Sequence, residues 1–385
     1  MFVPRIAPGN IVLGLVALLV ASVVAGAATS QGALASQPQP SLRLIAGLGD
    51  GIVSANQFVG DPAFPGGNRV RVATGTSVTW TLGSSEPHTV TFPAGQPLPA
   101  FAVPQPEGAD RLPMLNPALM APTLPSGPWD GTTFVHFELQ GPGQEFSIAF
   151  AAPGSFEYVC IFHPEMVATV EVVAAGSAGI TTQATVDQYA ATHLAAAHAS
   201  QVAEIMATRN RAERSESRDD TSVWSVRAGT SWRGGHLDIL AFLPDSVTIQ
   251  RGDTVLWYVD QSLPHTITFQ PVDGPPLEFV SVQLPDGTLL PAPALGEAPP
   301  PELLALLMDP ATSPRLVFTG AAAARPSPVH DGRSGYNSGF IGEHPAIAVP
   351  MDKTWALTFD APGTYAYTCV IHEPMGMKGT ITVLP

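Results

Sequence analysis

VRVATGTSVTWTLGSSEPHTVTF (residues 70–92) and VTIQRGDTVLWYVDQSLPHTITF (residues 247–269) are two copies of one pattern and align without a gap. Trp80 stands eight residues before His88 and Trp257 eight before His265; each histidine follows a proline and precedes a threonine. Apolar side chains in both copies keep one parity: Val70, Val72, Val78, Trp80 and Leu82 in the first, Val247, Ile249, Val255, Trp257 and Val259 in the second. A period of two marks half-buried strands, and Gly75 and Gly252 supply the turns between them. Downstream, FAAPGSFEYVCIFHPEM (150–166) matches FDAPGTYAYTCVIHEPM (359–375), with corners at Pro153-Gly154 and Pro362-Gly363. A repeat on this scale means two structural units. The expected fold is all-β, two tandem Greek-key β-sandwich domains spanning residues 42–175 and 222–385.

The segment joining them, 176–221, reads as a helical linker. Val186, Tyr189, Ala190, Leu194, Ala197, Val202 and Ile205 recur at helical intervals, and Thr185 with Gln188 has capping-box spacing, ahead of a mixed-charge stretch. Within each copy a long Pro-rich insertion, 93–130 and 270–334, separates the matched blocks and is expected to lie as loops on the barrel. Residues 1–35 carry one charge, Arg5, then an apolar run from Ile11 to Ala28 and small-residue sites at Ala25-Gly26-Ala27 and Ala33-Leu34-Ala35. They read as a secretory signal, with an uncleaved membrane tether through residues 11–28 as the alternative. Either way the expected location is outside the cytoplasm: periplasmic, cell-surface or secreted.

Composition removes other classes. The chain has 385 residues, enough for two or three cores, and its 40 prolines disfavour long helices. With 17 basic against 32 acidic residues, a net charge of -15 and only two lysines, nucleic acid is excluded as a partner. Two cysteines in an exported chain of this size are no disulfide framework, so the thiols need another explanation.

Parity supplies it. His88, Val90 and Phe92 share a face, as do His265, Ile267 and Phe269, so both histidines point inward; Phe156, Tyr158 and Cys160, and Tyr365, Tyr367 and Cys369, place each thiol at the core-facing end of a strand. His163 and His372 follow their cysteines by three residues. Methionines come next: Met166 in the first copy, Met375 and Met377 in the second. Anchoring on the returning strand pairs Met166 with Met377, whereas counting from the histidine selects Met375. Two imidazoles, a thiolate and a thioether suit copper, since soft sulfur favours Cu(I) and imidazole Cu(II); zinc, which a thioether serves poorly, is the weaker reading. The plain alternatives are inert buried cysteines or a bridge between Cys160 and Cys369.

On these residues both copies resemble cupredoxins of the plastocyanin and azurin type. The matched blocks cover roughly half the chain, and the Pro-rich insertions have no counterpart. The resemblance implies two type 1 (blue) copper sites, one with His88, Cys160, His163 and Met166 as ligands, the other with His265, Cys369, His372 and Met377. Thr89 and Thr266 stand where plastocyanins commonly carry asparagine, so the bond bracing the ligand loop is expected to differ. The implied function is one-electron transfer, to a redox partner protein that the sequence does not identify or between the two centres, without catalysis. A copper oxidase or nitrite reductase, which needs further histidines such as His136 and His344, and a copper buffering or delivery protein are the alternatives. His193 and His198, five apart on the expected helix, make a poor joint site.

Overall fold

The computed structural model describes residues 40–105, 114–119, 122–139, 141–216, 221–232, 236–273, 277, 280–292, 300–308, 315–319, 329–348 and 351–385. The expected signal segment, 1–35, lies outside them. No helix among the described residues is long and apolar enough to cross a membrane.

Each repeat is a two-layer β-sandwich. In the first, the strands Val53–Val59, Ser41–Leu48, Ser77–Leu82 and Glu145–Ala149 form one layer, and Arg69–Ala73, Val167–Val173, Gly154–Val159, His88–Phe92 and Val135–Leu139 the other. The same-parity residues Val70, Val72, Val78, Trp80 and Leu82 are all buried between the layers, as are Val247, Ile249, Val255, Trp257 and Val259 in the second repeat. The aromatic centres are near-copies. Trp80 meets Tyr158 edge-on at 5.2 Å and Trp257 meets Tyr367 at 5.3 Å, while Phe58 and Phe242 lie 4.5 and 4.6 Å from those tyrosines. Such tilted contacts add to the area that each ring buries.

Equivalent edge strands of the two sandwiches pair with each other. Leu237–Leu243 runs antiparallel to Val53–Val59, with Leu237 opposite Ala55 and Ile239 opposite Val53, so one ten-stranded sheet passes through both domains. This joins the edges as an isologous dimer would and hides the unpaired N–H and C=O groups that an open edge presents. Asn56 Nδ2 donates to Asp238 Oδ2 across the seam at 2.5 Å.

The helical linker departs from expectation at both ends. Its N-cap is Thr182, whose hydroxyl accepts from Thr185 N at 3.2 Å, one turn before the expected Thr185-Gln188 box. Helical backbone continues through a π turn at Tyr189–Leu194 to Arg209. Val186, Ala190 and Leu194 pack on the first core, and Ile205 packs on Ile239 and Leu243 of the second domain. Beyond the helix, Glu213–Glu216 is an edge strand on Ser222–Ser231 rather than a free linker.

The Pro-rich insertions are not simple loops either. Ala102–Val103 and Met114–Leu115 from the first join Val280–Gln283, Leu289–Pro291 and Arg315–Phe318 from the second in a shared five-stranded sheet. Ala102, Leu115, Val282, Leu316, Phe318 and Phe340 give it a core of its own, which also packs on Val370 beside Cys369. Short strands spaced by proline fall below the length at which alternation can be read, so the sequence showed only breaks here.

Candidate metal centres

The fold gathers the expected donors at corresponding places. In the first domain His88 opens the strand His88–Phe92, and Cys160 and His163 lie on the loop that closes Gly154–Val159 onto Val167–Val173. Cys160 Sγ is 3.8 Å from His88 Nδ1 and 3.3 Å from His163 Nδ1, and the two Nδ1 atoms are 3.0 Å apart. In the second domain Cys369 Sγ is 3.7 Å from His265 Nδ1 and 3.4 Å from His372 Nδ1, with 3.1 Å between the nitrogens. All six residues are buried, and both cysteines are free, each in its own core, which removes the disulfide reading. Two imidazole nitrogens and a sulfur facing one another at these separations fit one ion bonded at about 2.0–2.3 Å to each.

The electrostatics of both clusters are set by burial and by the groups' effects on one another. Burial alone would raise the Cys160 thiol, but His163 and His88 outweigh it and hold it well below its ordinary value; Cys369 is lowered in the same way by His372 and His265. Backbone N–H groups support each sulfur, Thr89 N at 3.2 Å from Cys160 Sγ and Thr266 N at 3.4 Å from Cys369 Sγ. Burial would lower the His163 imidazole, yet the Glu86 carboxylate and the Cys160 sulfur hold it up at about 10; His372, beside the Cys369 sulfur and Glu86, stands at about 9. In the metal-free chain an imidazolium thus balances each thiolate.

The methionines separate by backbone register. Cys160 N donates to Met166 O at 3.0 Å and Cys369 N donates to Met377 O at 3.1 Å. Met377 therefore occupies the place of Met166, and each lies in the same core as its cysteine. The two extra residues of the second loop are taken up by the turn Glu373–Met375 and by Gly376 at φ 102°, which sends Met375 away to pack with Leu240 and Leu263. The bond bracing each ligand loop comes from a threonine: Thr89 Oγ1 accepts from Ile161 N at 2.8 Å, and Thr266 Oγ1 from Val370 N at 3.0 Å.

His136 and His344 are not brought to either centre. His136 Nδ1 lies 2.9 Å from Thr91 Oγ1. His344 Nε2 donates to Phe162 O at 2.7 Å while its Nδ1 accepts from Ala346 N, so both its nitrogens are engaged. Burial lowers both imidazoles to about 4. His198 is half-buried on the linker, and the side chain of His193 lies outside the described residues.

Sequence reading passed over four residues that shape the centres. Gly47 and Gly229 sit at matching bulges with φ 71° and 74°, and a Cβ there would fall 2.1 Å from His88 Nε2 and 2.3 Å from His265 Nε2. Ser84 Oγ contacts His88 Nε2 at 3.0 Å, and Gln261, its counterpart, contacts His265 Nε2. The Ala-Gly pair shared by 46–47 and 228–229 was the available signal.

The profile of copper binding proteins of the plastocyanin/azurin family matches residues 63–173 and 340–384, one segment in each repeat. A plastocyanin from Scenedesmus fuscus is 25% identical over 150 residues, 39% of this chain and 93% of that protein. Among solved structures, a mutant fern plastocyanin is 19% identical, covering 42% of this chain and 99% of its own, with a TM-score of 0.20. A purple cupredoxin from Nitrosopumilus maritimus is 20% identical over 34% of this chain and 99% of its own, with a TM-score of 0.19. Two segments of the chain, one in each repeat, are thus similar to copper binding proteins of the plastocyanin/azurin family.

Proposed function

We propose that the chain is an exported protein with two type 1 copper centres that transfers single electrons. The ligands are His88, Cys160, His163 and Met166 in the first domain and His265, Cys369, His372 and Met377 in the second. The observation that carries this reading is the convergence, in each domain, of one low-pKa thiolate and two imidazole nitrogens on a single buried point. Copper held by such a set cycles between Cu(I) and Cu(II). The protein contributes rigidity. Two donors lie on one short loop, the third opens the strand His88–Phe92 in the first domain and bridges to Ile341 in the second, and backbone N–H groups and threonine hydroxyls fix the loop, so little has to move when charge changes.

The engagement of His136 and His344 elsewhere favours a carrier over a copper oxidase or nitrite reductase. Export rests on the apolar run at residues 11–28, and the partner is a redox protein of the same compartment. Copper counting with the visible spectrum of the purified chain tests the proposal. Two coppers per chain with an intense thiolate-to-copper band, half of it lost in Cys160→Ser, are expected; a colourless protein, or a third copper, would overturn it. Reduced protein that surrenders copper to a weak chelator would indicate delivery instead.

A further inference from the structure

Of the positions at which the repeats differ, one lies beside both centres. SSEPH at residues 84–88 corresponds to QSLPH at 261–265, so Glu86 stands where the second copy carries Leu263. Both residues line a small apolar cavity between the domains, about 70 Å³, walled also by Phe162, Pro264, Ile371 and Met375. Glu86 is buried, and one of its oxygens, Oε1, lies 3.2 Å from His163 Nε2 and 3.5 Å from His372 Nε2. A carboxylate survives in such surroundings only where it is paired, and the two rings are its pairing. The same rings turn their Nδ1 atoms to Cys160 and Cys369. Each ring thus touches its donor cage with one nitrogen and the shared carboxylate with the other. Both rings are buried, at 3% exposure apiece.

We infer that Glu86 is a positioning residue common to both centres, and that His163, Glu86 and His372 form the bridge by which an electron passes from one centre to the other. The inference rests on the copper reading above. With copper held in both cages, the metal would supply the one-electron change, one centre losing the electron that the other gains, and His163, Glu86 and His372 would carry it between them. No bond is made or broken, and no proton or outside oxidant takes part. One buried negative charge beside both rings also favours the oxidised form of both centres together.

The test uses the full-length chain with Glu86→Gln, which keeps the shape and removes the charge, and Glu86→Leu, which installs the residue of the second copy. Each is placed in Cys369→Ser and Cys160→Ser backgrounds, which isolate the first and second centres. Loss of the charge is expected to shift the Cu(II)/Cu(I) balance of each isolated centre toward Cu(I) by about tenfold or more. Electron exchange between the centres after flash reduction of the two-copper protein should slow in both variants. A shift confined to the first centre, or unchanged exchange, would overturn the inference. Imidazole 15N resonances of the metal-free chain give a copper-independent readout: Glu86→Gln should move the Nε2 signals of both His163 and His372, and movement of His163 alone would refute the sharing. A wild-type chain that binds no copper would refute the functional reading instead, and the resonances would still decide whether Glu86 is shared.

Discussion

Gly47→Ala perturbs the geometry of the first centre without replacing a donor. The residue sits at φ 71°, and an added Cβ would fall 2.1 Å from His88 Nε2 and 2.6 Å from Ser84 Oγ. The left-handed backbone alone costs an alanine about 1–3 kcal/mol. Ordinary contact between heavy atoms needs about 3.5 Å or more, so the imidazole must retreat by more than about 1 Å. Metal–donor bonds tolerate about 0.2 Å, and a ring displaced that far no longer reaches the ion shared with Cys160 and His163. The second domain supplies its own control, because Gly229 presents the same contact to His265. Gly47→Ala is expected to bind one copper and keep about half the blue band, and in the Cys369→Ser background to lose the band entirely. Gly229→Ala should do the reverse. Metal analysis with absorption spectroscopy reads both, beside a denaturant titration that reports the fold. Two coppers and an unchanged spectrum in folded Gly47→Ala would refute the claim that this glycine makes room for His88.

Metal loading should release protons. His163 holds its proton up to about 10 and His372 up to about 9, while both thiols are lowered well below their ordinary value, so loading near neutrality expels about one proton per site. Because that proton must leave, apparent affinity rises with pH, about tenfold per unit, and levels off once the imidazoles deprotonate unaided; an affinity that falls with rising pH would contradict the assignment. Met377→Leu should change the potential of the second centre, whereas Met375→Leu, a volume-conserving change beside Leu240 and Leu263, should leave the potential alone and cost less than about 1.5 kcal/mol; voltammetry on the Cys160→Ser background separates them. Thr89→Val deprives Ile161 N of its acceptor and should cost about 1–3 kcal/mol in a urea titration, with broadening of the first site's band.

The sandwiches and the donor triads were legible because both rest on short-range regularities. Alternation around Trp80 and Trp257 fixes which side chains face the core, and the spacings from Cys160 to His163 and from Cys369 to His372 fix one closed loop. The position of Met377 was legible for a similar reason, since the returning strand keeps its register while the turn absorbs the two extra residues. What lies between the domains was not. Pairing of Leu237–Leu243 with Val53–Val59 joins residues far apart in sequence, and nothing local distinguishes an edge that meets its twin from one covered otherwise. The insertion sheet combines pieces of two segments, none of them apolar long enough to show a period. Glu86 was visible as a mismatch with Leu263, but only the facing of His163 and His372 across the seam gives the mismatch a meaning. The cap at Thr182 went unseen because Thr185, three residues on, offered an equally good box.

Anomalous scattering at the copper edge from crystals of the copper-loaded chain tests the central claim most directly. Two peaks are predicted, one within bonding distance of Cys160 Sγ and the Nδ1 atoms of His88 and His163, the other likewise placed among Cys369, His265 and His372. A single peak, or density at any other cluster while either cage stays empty, would contradict it.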